Sequence, residues 1–170
     1  MLAIEKSKLP TDSLLASYQE AGAYTDCYST RLPSAISLAQ YIQAFYCSPL
    51  FRMERFILKW LVSKPSSDND VRDLALGKVS EYGAWTVEGR MENQLLLCDF
   101  RGSTRSWLMV RPATATEPSG TRLYFGSAVV NRVSADGVPP TMGLAFRAML
   151  GFHKLYSVAL LASARRQLRN

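Results

Sequence analysis

The chain has 170 residues, 48% of them hydrophobic, 20% charged and 11% aromatic, which is too apolar for a disordered chain and about the length of one domain. At this length roughly 70% of the unfolded surface can be buried, so neither disulfides nor a structural metal is needed to hold a core. Twenty basic against fourteen acidic residues give a net charge of +6, but the basic residues are scattered. Their one dense cluster, Arg165, Arg166 and Arg169, reads as a solvated helix end rather than a nucleic-acid surface.

Taken in chain order, residues 1–20 are polar and mixed, without the basic and apolar regions of a signal peptide. Pro10, Thr11 and Asp12 open a short helical turn before Gly22. Tyr24 to Leu32 is rich in β-branched and aromatic residues and stops at Pro33, which predicts a strand at a sheet edge. Ser34 can cap a following helix in which Leu38, Tyr41, Ile42 and Phe45 recur at helical spacing. Cys47, Ser48 and Pro49 break that helix and start a second, expected to run to about Val62 with Leu50, Met53, Ile57, Trp60 and Leu61 as its buried stripe. Ser67, Asp68 and Asp70 form the cap and acidic first turn of a third helix closed by Gly77.

Beyond residue 80 the period becomes extended. Glu81 to Met91, Gln94 to Arg101, Arg105 to Pro112 and Thr121 to Arg132, separated by short loops, read as an antiparallel meander, making five strands with the first. Val133 to Pro140 is turn-rich, and from Thr141 a helix of roughly 25 residues closes the chain. Its apolar stretch, Gly143 to Ala162, is interrupted by Arg147, His153 and Lys154, which argues against a membrane span.

Two-residue turns at Glu92 and Asn93 and at Gly102 and Ser103 would set Phe100 opposite Arg105, Cys98 opposite Trp107 and Leu96 opposite Met109, with Trp85 and Val87 on the same aromatic face. The apolar final helix needs such a surface and is expected across it. A one-residue slip in either loop would exchange the faces.

This order of strand, two or three helices, antiparallel meander and long final helix resembles the helix-grip fold of the START and Bet v 1-like superfamily. The expected architecture is therefore α+β, a single domain over residues 1–170. A polar N-terminal segment covers 1–20, and a helix-grip-like core over 24–168 wraps an antiparallel sheet around the C-terminal helix. The resemblance implies a cavity between sheet and helix that holds apolar molecules. Within the superfamily some members are enzymes and others binding proteins, so the fold does not choose between them.

The expected function is binding of a small apolar or amphipathic, anionic ligand, with Trp85, Phe100, Trp107 and Tyr124 on the pocket wall and Arg105 anchoring its head group. Arg105 could equally pair with a carboxylate or stack on an aromatic ring. An alternative is a cyclase, dehydratase or hydrolase in the same cavity, with His153 or Asp99 moving a proton, although a hydrogen-bonded structural role fits each of them as well. A third reading is an interaction module, packing on a partner or a second copy of the chain through Phe51, Leu58 or Val62 of the second helix. The three cysteines, Cys27, Cys47 and Cys98, form no CxxC pair and have no nearby His, as expected of reduced thiols in a cytoplasmic protein. Phosphate-cradling loops, HExxH, GxSxG and clustered metal ligands are all missing from the sequence, so neither a cofactor nor a metal is expected.

Overall fold

A seven-stranded antiparallel sheet organises the chain in the computed structural model, which describes residues 4–53, 67–114, 119–130 and 144–169, with side chains of the last stretch from 155 onward. The strands are β1 (Glu5–Lys6), β2 (Tyr24–Leu32), β3 (Glu81–Tyr82), β4 (Trp85–Met91), β5 (Gln94–Asp99), β6 (Thr104–Pro112) and β7 (Thr121–Val129). They lie side by side in the order β1-β2-β7-β6-β5-β4-β3. The fold is α+β, as expected, but with seven strands rather than five. The turn at Gly83 divides the first meander segment into β3 and β4, and the two residues of β1 add a strand outside β2. β2 is therefore not at the edge, and both edge strands are two residues long.

The helices are α1 (Ala16–Glu20), α2 (Leu38–Tyr46), α3 (residues 49–53), α4 (Asp68–Ala75) and α5 (Leu144–Gln167). Ser37, not Ser34, caps α2: its hydroxyl accepts from the Gln40 amide while the Gln40 side chain accepts from the Ser37 amide. Ser34 instead offers its carbonyl to the Thr121 hydroxyl, and the Ile36 amide donates to the same hydroxyl, so the chain reaches the helix three residues later. Ser67 and Asp70 form the corresponding box on α4. In α3, Leu50 packs partly buried against the core as expected, but Met53, expected in the buried stripe, is exposed, and Phe51, expected at the surface, is buried. The remainder of that predicted helix, with Leu58 and Val62, lies outside the described residues.

Adjacent residues of a strand point to opposite faces, and both faces of this sheet are covered. On one, Tyr28, Leu32, Leu95, Leu97, Leu108, Val110, Leu123 and Phe125 pack against Tyr41, Ile42 and Phe45 of α2, Val71 and Leu74 of α4, and Leu160, Leu161 and Ala164 of α5. On the other, Cys27, Leu96, Trp107, Met109, Tyr124 and Ala128 form a separate cluster under Leu9, Leu14, Leu15 and Tyr18. The N-terminal segment is thus the cover of the aromatic face, and the described part of α5 packs on the reverse face. This corrects the expected placement of the helix over Trp107.

Two local features produce that difference. The β5–β6 loop has four residues rather than two, because Asp99 Oδ1 accepts from the Ser103 and Thr104 amides and Gly102 turns with φ +66°. Pairing moves by two residues, to Cys98 opposite Arg105 and Leu96 opposite Trp107, and an even shift keeps each residue on its expected face. In β4 the register shifts by one between Val87 and Gly89, a bulge at Glu88. Gly89 still faces Leu96, but Val87 faces Leu97 and Trp85 faces Asp99. Trp85 and Val87 consequently lie on the helical face, away from Trp107.

Candidate functional site

A cavity of about 200 Å³ lies between the helical face of the sheet and the helices. Phe125, Trp85, Thr104, Ser106 and Ser127 form its sheet side, and Phe45 of α2, Phe51 of α3 and Tyr156, Ser157 and Leu160 of α5 form its helix side, leaving it partly open. These positions follow from the pairing just described. Ser106 and Ser127 are direct cross-strand partners, and Trp85 reaches this side because of the bulge at Glu88. The rings of Phe45 and Phe125 meet at 4.8 Å, and Phe45 and Phe51 at 6.1 Å, so the apolar wall is a continuous aromatic cluster.

One end of this space is polar. Asp26, directly opposite Ser127 in the β2–β7 pair, is 5% exposed, and its Oδ1 accepts from the Ser127 hydroxyl at 2.6 Å and the Ser127 amide at 3.1 Å. Ser106 Oγ lies 3.4 Å from the Tyr46 hydroxyl. Asp26, Ser127 and Ser106 therefore form a buried polar row across β2, β7 and β6, facing α5, on which Ser157 is also buried. The carboxylate is buried on the helical face, and no pattern in Tyr24 to Leu32 singles it out. Its signal is that the even positions of β2, Tyr28 and Leu32 among them, are the core-facing set, which becomes visible only with the sheet assembled.

The residues expected in a single pocket are distributed over three places. Trp85 lines the cavity. Trp107 and Tyr124 lie on the opposite face, their rings 6.2 Å apart; Trp107 is fully buried and donates its indole N–H to Gln94 Oε1 at 2.9 Å. Phe100 is 48% exposed at the tip of the β5–β6 loop, with the Arg101 guanidinium 5.2 Å from its ring centroid. Arg105 borders the cavity between Thr104 and Ser106, but its guanidinium is used on the N-terminal face. There it pairs with Glu88 at 2.9 Å, donates to the Tyr18 hydroxyl at 2.9 Å and the Gly102 carbonyl at 2.8 Å, and stacks over the Tyr18 ring. Burial works to lower the pKa of Arg105, but the hydrogen bonds to Glu88 and Tyr18 prevail and raise it. Tyr18 is raised as well, first by burial and then by its hydrogen bond to Glu88. The arginine is thus the internal partner of a carboxylate and a tyrosine.

Asp99 holds the β5–β6 turn through two backbone amides. The side chain of His153 lies outside the described residues. Among the described residues no cluster of three metal-ligating side chains occurs, and no helix is long and apolar enough to cross a membrane. All three cysteines are free thiols. Burial raises the pKa of Cys98 above its ordinary value, with Arg105 opposing, and pushes Cys27 up to about 12, so neither is an activated nucleophile. Comparison of the chain with protein-family models, curated proteins and solved structures returns no match.

Proposed function

We propose that the chain is a helix-grip protein that binds one small, uncharged, apolar or amphipathic molecule in the space between the sheet and α5. The observation that carries this reading is the cavity itself, walled by Phe45, Phe51, Trp85, Phe125 and Leu160. A partly open pocket of about 200 Å³ at the sheet–helix boundary, walled mostly by aromatic and apolar side chains, fits a site for a ligand of modest size. The element order supports the resemblance to the START and Bet v 1-like superfamily. One long strand precedes three helices, a meander follows, and the final helix lies across the sheet with the cavity beneath it. An anionic head group was expected from Arg105. The guanidinium is satisfied by Glu88, Tyr18 and Gly102 on the other side of the sheet, so the reading is of an uncharged ligand.

Native mass spectrometry of freshly purified protein, before and after solvent extraction, together with titration of an apolar fluorescent probe, tests the proposal. A co-purifying small molecule, or probe binding that Leu160→Trp abolishes by filling the cavity, is the expected result. Absence of both, or probe binding unaffected by Leu160→Trp in a folded variant, refutes it.

A further inference from the structure

We infer that the cavity recognises a flat aromatic ring, so that the ligand class is a small neutral aromatic molecule. The inference rests on the cavity-binding reading above and names the ligand class of that site. Five elements each bring one aromatic side chain to the wall: Phe45 from α2, Phe51 from α3, Trp85 from β4, Phe125 from β7 and Tyr156 from α5. Among the described residues, Leu160 is the one aliphatic side chain that lines it. The aliphatic residues of the same sheet face, Leu95, Leu97, Leu108, Val110 and Leu123, are buried in the core and stay off the wall. Burial of apolar surface requires no such segregation, because aliphatic and aromatic side chains both serve it; contact with a ring does.

The wall rings avoid the face-to-face sandwich, as aromatic pairs prefer. Phe45 and Phe125 are tilted by 39° at 4.8 Å, and Phe45 and Phe51 by 48° at 6.1 Å, while Tyr46 meets Phe51 edge-on at 4.7 Å. A ligand ring joining this cluster sets its positive edge against a wall face, or its negative face against a wall edge, and gains attraction beyond its area of burial. A saturated ring has no quadrupole to offer. Size agrees with the chemistry. An apolar cavity of about 150 Å³ takes up benzene, so space of about 200 Å³ holds one ring with a short substituent. Aromatic walls also suit organic cations, but the net charge of +6 and the position of Arg105 at the border disfavour one.

The test uses benzyl alcohol and cyclohexylmethanol, titrated into the solvent-extracted protein by calorimetry and ligand-observed NMR. Both carry the same hydroxymethyl group, so contacts with the polar side chains of the wall cancel in the comparison. The saturated ring has the larger apolar surface and would bind more tightly through burial alone. Benzyl alcohol is instead expected to bind about fivefold more tightly. In Phe51→Leu, which keeps an apolar side chain on the helix side, that ratio should fall to unity or below while cyclohexylmethanol still binds, which shows that the cavity is intact. Phe125→Leu is an independent variant on the sheet side and should lower the same ratio. Cyclohexylmethanol binding at least as tightly as benzyl alcohol, or a preference that survives in the folded variants, overturns the aromatic assignment and leaves the cavity reading standing. Tighter binding of tetramethylammonium than of benzyl alcohol overturns it in favour of a cation. Failure of both alcohols overturns the assignment, and failure of the apolar fluorescent probe as well overturns the cavity reading with it.

Discussion

Gln94→Met is the substitution that most directly probes how the N-terminal segment is held on the sheet. Gln94 is 2% exposed, and its side chain makes three bonds to groups far apart in sequence. Its Oε1 accepts from the Trp107 indole N–H at 2.9 Å and from the Leu14 amide at 2.9 Å, while Nε2 donates to the Asp12 carbonyl at 2.9 Å. Methionine has nearly the same length and shape, so the change removes the polar atoms without opening a void. Leaving a buried donor unsatisfied costs about 1–3 kcal/mol. The upper end applies to the fully buried Trp107 indole. The Leu14 and Asp12 backbone groups are only part-buried and regain a bond from water, so they add little. The sum is about 3 kcal/mol, or a fall in Tm of about 6–12 °C for a chain of this length. Urea unfolding followed by tryptophan fluorescence reads the loss, and limited proteolysis should show earlier cleavage within residues 9–20. A variant within about 0.5 kcal/mol of the parent, with unchanged proteolysis, would refute the idea that Gln94 fastens the segment.

Gly126→Ala should destabilise by about 1–3 kcal/mol, measured by the same unfolding experiment. A Cβ at Gly126 would meet the Asp26 carbonyl oxygen at 2.8 Å, the Trp107 ring at 3.0 Å and Leu15 at 3.1 Å. The first of these is backbone of a paired strand and cannot yield as a side chain can, so a neutral result would contradict the packing. Alkaline pH should weaken the fold through Cys27. Burial, with Asp26 adding to it, lifts the thiol from 9.0 to about 12 in the folded state. Its contribution is complete below pH 9, where both states are protonated, and is lost as pH rises towards 12, because only the unfolded chain then releases the proton. Over that window the loss approaches about 1.4 kcal/mol per pH unit, and Tyr28, also raised to about 12, adds to it above pH 10. Cys27→Ala should show a shallower decline in stability between pH 9 and 11, and an unchanged slope would count against the assignment.

The sequence by itself determined the local elements. α2 follows from the spacing of Leu38, Tyr41, Ile42 and Phe45, all of which are buried, and α4 from the Ser67 and Asp70 box. The end of β2 follows from Pro33, and the β4–β5 turn at Glu92 and Asn93 from its polar residues, with Met91 opposite Gln94 as expected. Such features are encoded within a few residues, by helical period, capping chemistry and turn preference, so no distant contact is needed to read them.

What only the tertiary structure decided was which side of the sheet each element covers. Both faces are apolar, Leu96, Trp107 and Met109 on one and Leu95, Leu97, Leu108 and Val110 on the other. A two-residue alternation cannot distinguish faces that are both buried. The decision falls instead to the bulge at Glu88, where the Glu88 carboxylate meets Arg105 and Tyr18, and to the N-terminal segment. That segment's few apolar residues, Leu9, Leu14, Leu15 and Tyr18, suffice to cover the aromatic face once Gly89 and Gly126 leave room for the leucines. With that face taken, the described part of α5 packs on the other one, and Trp85, Ser106, Ser127 and Asp26 come together beneath it. Their proximity depends on pairing between strands about 100 residues apart in the chain, such as Asp26 with Ser127. Pairing of that kind is settled by long-range packing, and short-range sequence pattern carries no record of it.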